Sequence, residues 1–218
     1  MNSRTGVRVT VAVLVLVVLL VMGLMIGRQA YIAEEAGPPD LESLNTFIYD
    51  KPQPIGAFSL TSEEGEPFTR EELRGHWTLA FVGYTYCPDV CPTTLSVLKK
   101  VRPLLPDDVV APQVLFVSAD PERDTPSRLK DYLAFFSSAF RGVTGDRETL
   151  RALAKDLNAA FSRAPSEAGS EEYTVNHSAH LSLISPQAQG VAMMRPPFKA
   201  ETIAEAYTRI VKWRQSQL

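Results

Sequence analysis

The chain has 218 residues, a mass of 24.0 kDa and a formal net charge of −3 at pH 7. With 45% hydrophobic and 22% charged residues, this composition excludes collagen-like, coiled-coil and wholly disordered proteins. The acidic balance, with an isoelectric point near 5.7, argues against a nucleic-acid binder that works through a broad basic face.

An uncharged apolar run occupies residues 9–26, where only Thr10 and Gly23 interrupt the aliphatic and methionine side chains. A helix of this length, at about 1.5 Å per residue, crosses most of a hydrocarbon core roughly 30 Å thick. The alternative is a cleaved signal peptide, but such peptides have a shorter apolar core and a better cleavage site than Ala30 and Ala33 provide. We therefore expect an uncleaved transmembrane helix.

Basic residues precede this run and acidic residues follow it. Arg4 and Arg8 lie before it, whereas Glu34 and Glu35 follow soon after it. The positive-inside rule then predicts that residues 1–8 are cytoplasmic and that the rest of the chain lies outside the cytoplasm. No long presequence rich in Arg and Ser precedes the run, which favours a single-pass protein of the bacterial inner membrane with its domain in the periplasm.

Residues 27–54 are predicted to be a linker. Gly and Pro occupy positions 37–39, and Pro52 and Pro54 discourage regular structure further along. A single domain is predicted from residue 55 to residue 218.

Strand and helix patterns alternate along this domain. Short apolar runs at 77–84 and 114–117 predict strands, and the helical spacing of apolar residues over 93–101 predicts a helix between them. This order is typical of a βαβ unit. Further helices are predicted at 127–136, 147–157 and 200–213, and a hairpin at 181–194. The alternation predicts an α/β fold, a central sheet with helices on both faces.

The two cysteines of the chain, Cys87 and Cys91, lie where the first strand turns into a helix. A helix N-terminus favours thiolate, which would suit a metal ligand or a nucleophile toward disulfides. Three intervening residues bring the second sulfur back to the same face after about one turn, so both could reach one metal ion or each other. A structural disulfide is the alternative, but so short a loop would stabilise the fold little. Tyr84 and Tyr86 are expected to support the loop.

Three histidines differ in their surroundings. His76 stands at a strand entrance and is interpreted as an exposed imidazole. His177 and His180 lie just before and within a predicted strand, and their odd separation would place them on opposite faces. At most one of them should face the cysteines.

Three ordered sequence blocks resemble the Sco/SenC family of copper-binding, thioredoxin-like membrane proteins. These are YTYCPDVCPT at 84–93, VSADPERDTP at 117–126 and YTVNHS at 173–178. The resemblance covers about residues 55–213, and the apolar N-terminal run agrees with it. It implies a thioredoxin-like fold with a central mixed sheet.

The resemblance also implies a site and a function. Cys87, Cys91 and His177 are carried over as the copper ligands, and the implied function is delivery of copper to the binuclear centre in subunit II of cytochrome c oxidase, or maintenance of that centre's thiols. An upstream copper donor and a thiol reductant are the other implied partners. Two thiolates and one imidazole suit Cu(I), and the imidazole is also acceptable to Cu(II), whereas a structural zinc site would usually need a fourth ligand.

Two other functions use the same cysteines. Oxidation of Cys87 and Cys91 to a disulfide would remove both sulfur ligands, so the chain could instead be a thiol-disulfide oxidoreductase for extracytoplasmic targets, with incidental copper binding. A peroxidase is disfavoured, because Thr85 lies two residues before Cys87 rather than three and the expected Pro is missing. We expect a metallochaperone rather than an enzyme.

Some residues depart from the family pattern or have an open role. Asn176 stands where the family usually has Asp before the ligand histidine. Asp89 is interpreted as a solvated loop residue, and residues 120–126 as a strand-to-helix turn with capping side chains. Whether Asp89, Asp124 or His180 assists the site stays open.

Overall fold

The computed structural model describes residues 3–34, 37–164 and 173–217. The chain divides into two compact units, one containing the N-terminal helix and one spanning Asp40–Val211. The helices are α1 (Ser3–Glu34), α2 (Val90–Lys99), α3 (Pro126–Ala134), α4 (Arg147–Asp156) and α5 (Ala200–Gln215). The strands are β1 (Thr46–Pro54), β2 (Ser59–Ser62), β3 (Pro67–Thr69), β4 (Thr78–Gly83), β5 (Gln113–Ser118), β6 (Arg141–Thr144), β7 (Phe161–Arg163), β8 (Val175–His177), β9 (Leu181–Ser185) and β10 (Gln189–Met194).

The N-terminal apolar run is helical, as predicted, and forms part of α1. Its large apolar side chains between Val11 and Ile26 are exposed. Within the described parts of the chain, no helix reaches the length and apolarity needed to cross a membrane. The predicted transmembrane anchor at residues 9–26 is therefore not confirmed.

The second unit is built on an eight-stranded sheet with the order β1-β10-β9-β4-β5-β6-β2-β3. Strands β4, β5 and β6 are parallel, and their other neighbours are antiparallel to them. Every residue of β4 is buried, which explains why its sequence is a continuous apolar run without alternation. The predicted α/β fold with a central mixed sheet is confirmed.

The predicted βαβ unit consists of β4, α2 and β5. Leu95 and Leu98 on α2 are buried, in agreement with their helical spacing. The helix begins at Val90, three residues earlier than predicted. Cys91 therefore lies within the first turn of α2.

Part of the predicted linker belongs to the sheet. Residues 46–54 form β1, which pairs antiparallel with β10 and lies at the edge of the sheet. Proline lacks the amide hydrogen that a central strand requires, but an edge strand tolerates it. The pairing is irregular between Ile48 and Gln53, next to Pro52. The prolines thus signal an edge strand rather than a linker.

Two antiparallel strand pairs lie between α4 and α5. The predicted hairpin is confirmed as β9 and β10, with Gln189 paired to Ser185. A second, smaller pair forms a separate two-stranded sheet, in which Phe161 of β7 pairs with His177 of β8. We call residues 161–163 and 173–178 the histidine arm, because they carry His177.

Candidate metal centre

Three donor side chains from three different segments meet at the carboxyl end of β4. Cys87 lies in the loop after β4, Cys91 in the first turn of α2, and His177 at the end of β8. One sulfur or nitrogen atom from each lies within 4.8 Å of the others. The structure therefore brings together the three residues that the sequence analysis selected.

The close approach of Cys91 to β4 depends on a glycine. A Cβ atom at Gly83 would lie 2.8 Å from Sγ of Cys91 and 2.9 Å from Cε2 of Phe116, both too close for real contacts. The amide of Ala119 donates a hydrogen bond of 2.7 Å to the carbonyl of Gly83. Gly83 thus ends the strand where α2 can pack its sulfur directly against the backbone.

The loop places Cys87 over the start of α2. The Cys87 amide donates to the carbonyl of Tyr84 at 3.2 Å, which turns the chain back. The amide of Cys91 then donates to Sγ of Cys87 at 3.4 Å. Amides in the first turn of a helix have no partner within the helix. The sulfur of Cys87 serves as the acceptor for one of them, the amide of Cys91.

The imidazole of His177 presents Nε2 to the cysteines. Nε2 lies 3.6 Å from Sγ of Cys91, and Nδ1 lies 3.1 Å from the carbonyl oxygen of Ser178. A carbonyl can only accept, so Nδ1 carries the proton and the neutral ring keeps the Nε2 lone pair for a metal. Phe81 and Tyr84 contact the ring edge to face, each at 5.9 Å between centroids. Burial lowers the pKa of His177.

The protonation of Cys91 differs from the sequence expectation. The helix dipole was expected to favour the thiolate, but the side chain of Cys91 is fully buried. Burial raises the pKa of Cys91 well above its ordinary range, because loss of hydration outweighs the opposing effect of a hydrogen bond with the backbone of Tyr84. Cys87 is half-buried. Burial therefore favours the neutral thiol of Cys91 in the metal-free protein, and a nearby cation would favour the thiolate.

A buried carboxylate supports the cysteine loop from behind. Asp124 accepts hydrogen bonds of 2.7 Å from the hydroxyl groups of Thr85 and Ser118, and it also faces the amide of Thr85. Burial raises the pKa of Asp124, and these hydrogen bonds partly offset that effect. Thr125 caps α3 as predicted. The sequence left the role of its neighbour Asp124 open, because its burial follows from tertiary contacts and has no local sequence signal.

The remaining candidates have partners away from the three donors. His180 contacts the carbonyl of Leu157 at 3.0 Å through Nε2, and His76 contacts Gln113 at 2.7 Å. Asp89 is exposed and accepts a long hydrogen bond of 3.4 Å from Thr93. Asn176 is exposed on β8.

The comparisons with known proteins agree on one protein family. The sequence model described as SCO1/SenC matches residues 49–212. An SCO2-like protein of Rickettsia prowazekii is 30% identical over 193 residues, which cover 87% of this chain and 94% of the relative. The structure of ScoI from Bradyrhizobium japonicum with copper bound has a TM-score of 0.63 at 32% identity, covering 72% of this chain and 99% of that one. Yeast Sco1 with copper bound has a TM-score of 0.67 at 30% identity, covering 74% and 90%.

Proposed function

Since this chain belongs to the SCO1/SenC family, we propose that it is a copper metallochaperone that binds copper through Cys87, Cys91 and His177. The observation that carries the proposal is the convergence of their donor atoms within 4.8 Å. Two sulfurs and one imidazole nitrogen form a soft, low-coordinate set that suits Cu(I), and the imidazole is also a good ligand for Cu(II). Relatives whose structures contain copper support the choice of metal.

The unequal burial of the two cysteines suggests how copper passes through the site. Cys91 is fully buried, whereas Cys87 and His177 are half-buried, and the neighbours of Cys87 in the chain include the exposed side chains of Tyr86 and Val90. Three protein ligands leave room for a fourth. A thiolate or imidazole of the acceptor can therefore bind the copper from the side of Cys87 and His177 before the buried Cys91 releases it.

The acceptor that we propose is the binuclear copper site in subunit II of cytochrome c oxidase. The test is to mix copper-loaded protein with the metal-free copper domain of subunit II and to follow the absorption of the binuclear centre. We expect transfer from the wild type to be faster than from the same amount of free copper, whereas His177→Ala, which holds copper weakly, should transfer it no faster than free copper does. Equal transfer by both proteins, or by free copper at the same rate, would argue against a chaperone.

A thiol-disulfide oxidoreductase is the second candidate, and the position of the two sulfurs supports it. The two sulfurs lie within 4.8 Å of each other, and Cys87 is partly exposed, so its sulfur could attack a target disulfide. This function does not need His177. The test is the His177→Ala variant in cells. If this variant keeps thiol exchange with an oxidised peptide but no longer supports oxidase assembly, copper binding is the main function. If it still supports assembly, thiol exchange is the main function.

We also propose that α1 associates the protein with a membrane and that the copper domain lies in the periplasm. The support is the series of exposed apolar side chains between Val11 and Ile26. Cell fractionation tests this: the full chain should stay with the membranes after a high-salt wash, and a chain lacking residues 1–35 should be released. Recovery of the full chain in the soluble fraction would contradict the proposal.

A further inference from the structure

A guanidinium group lies between two tyrosine rings that belong to different ligand-bearing segments. Cζ of Arg123 is 3.7 Å from the ring centroid of Tyr173 and 4.7 Å from that of Tyr86. Tyr86 directly precedes Cys87, and Tyr173 lies in the histidine arm shortly before His177. A single side chain therefore contacts both the cysteine loop and the segment that carries the histidine.

The side chain of Arg123 is fixed by polar contacts with Asp120, which follows β5, and with Tyr173. Its Nε forms an ion pair with Asp120, a buried residue two positions after the end of β5, and its Nη2 donates to the carbonyl of Tyr173 at 3.1 Å. The hydroxyl of Tyr173 donates to Asp120 at 2.7 Å and closes a ring of three side chains. Burial, together with the hydrogen bond to Asp120, raises the pKa of Tyr173 to about 12, so its hydroxyl remains a donor at neutral pH.

The histidine arm needs such an attachment. It forms a two-stranded sheet apart from the main one, and each of its strands has three residues. An isolated pair of strands is marginally stable in water, so contacts outside the arm must set the position of His177. Arg123 provides a hydrogen bond to the backbone of the arm and an aromatic contact to the cysteine loop.

We propose that Arg123 is a positioning residue that attaches the histidine arm to the cysteine loop and thereby sets the separation of His177 from Cys87 and Cys91. Its effect on copper affinity rests on the proposed function, whereas its effect on the arm does not. The planar group is essential, because it stacks on two rings while its nitrogens bond in fixed directions. A lysine carries the same charge but can do neither.

Arg123→Lys is therefore the decisive variant, and Arg163→Lys is its matched control. Arg163 stacks on the same Tyr173 ring at the same 3.7 Å, but both residues of that contact belong to the arm. Its contact outside the arm is an ion pair with Glu122 at 3.9 Å, which a lysine can keep. Tyr86→Leu removes the contact from the other side. Because the Tyr86 side chain is 52% exposed, this change should not disturb the core.

The first measurement is hydrogen exchange of the copper-free, full-length protein. We expect the amides of residues 173–178 to exchange about tenfold faster in Arg123→Lys and in Tyr86→Leu, and within about twofold of the wild-type rate in Arg163→Lys. Exchange in β5 should be the same in all of them, which shows that the variants are folded. Wild-type exchange over residues 173–178 in folded Arg123→Lys would overturn the proposal.

The second measurement is Cu(I) affinity, by competition with a chelator, in the same proteins. We expect about tenfold weaker binding in Arg123→Lys and Tyr86→Leu, and unchanged binding in Arg163→Lys. If the wild type binds no copper, the proposed function fails while the exchange result still decides the role of Arg123. If copper binds and exchange changes but affinity does not, Arg123 does not position His177 as a ligand.

Discussion

Sγ of Cys91 lies 3.6 Å from Nε2 of His177, although 86 positions separate the two residues in the chain. One is on a helix of the main domain and the other on the histidine arm, so only the folded protein brings them together. The donor set is therefore a product of tertiary structure, and copper binding should stabilise the fold in turn.

Replacing His177 with alanine should separate copper binding from thiol chemistry. Loss of a direct ligand should weaken Cu(I) binding by about 100-fold or more, since even changes behind a ligand cost about 10- to 100-fold. Thiol-disulfide exchange should change little, because both sulfurs remain. His180→Ala is the control: its imidazole contacts the Leu157 carbonyl, so copper affinity should stay as in the wild type. Equal affinity in His177→Ala and His180→Ala would refute the assignment.

Copper affinity should increase with pH. Burial raises the pKa of Cys91 far above its usual value, so at neutral pH its thiol must lose a proton to become a ligand. Burial lowers the pKa of His177, so its imidazole is already neutral there and contributes no proton. We expect the apparent Cu(I) association constant to rise by about tenfold per pH unit for each thiol proton released between pH 6.5 and 8. Competition with a chelator whose own pH dependence is known measures this constant. A Cu(I) affinity that does not change with pH would contradict a buried neutral thiol at Cys91.

Gly83→Ala should damage both the fold and the site. The new methyl group would lie 2.8 Å from Sγ of Cys91 and must push the sulfur or the helix away. We expect a loss of about 1–3 kcal/mol in the free energy of unfolding and weaker copper binding. Gly190→Ala is the matched control, because a Cβ there meets only ordinary contacts of 3.7 Å or more. Urea unfolding of both variants measures the free energy of unfolding. Equal stability of the two would show that Cys91 does not pack so closely against Gly83 in solution.

Asp124→Ala should destabilise the domain by about 2–3 kcal/mol, because it leaves the buried hydroxyl groups of Thr85 and Ser118 without their acceptor. Asp89→Ala removes an exposed carboxylate near the same loop and should change the free energy of unfolding by less than about 0.5 kcal/mol. Chemical unfolding of both variants gives the comparison. Similar, small effects would mean that Asp124 does not support the loop.

The sequence contained enough to predict the α/β fold and the segments that carry the donors. The apolar run of β4, the helical spacing of Leu95 and Leu98, and the position of Cys87 and Cys91 between them are all local signals. Periodicity alone left His177 and His180 undecided, and the resemblance selected His177. The structure separates them for another reason: His177 ends β8, whereas His180 lies beyond that strand.

What the sequence could not predict depends on contacts between distant segments. Pro52 and Pro54 have the same local effect in a linker and in an edge strand, so only the pairing of β1 with β10 distinguishes the two. Cys91 was expected to be a thiolate because the helix dipole is visible in sequence, whereas its complete burial is not. The stacking of Arg123 between two tyrosines joins three separate segments.

The most direct test of a copper site made by Cys87, Cys91 and His177 is an anaerobic Cu(I) titration of the reduced, full-length protein against a competing chelator. The wild type should bind one copper ion per chain. Cys87→Ser and Cys91→Ser should each lose most of the affinity, because Cu(I) binds a hydroxyl group poorly. Unchanged stoichiometry and affinity in both serine variants and in His177→Ala would contradict the account.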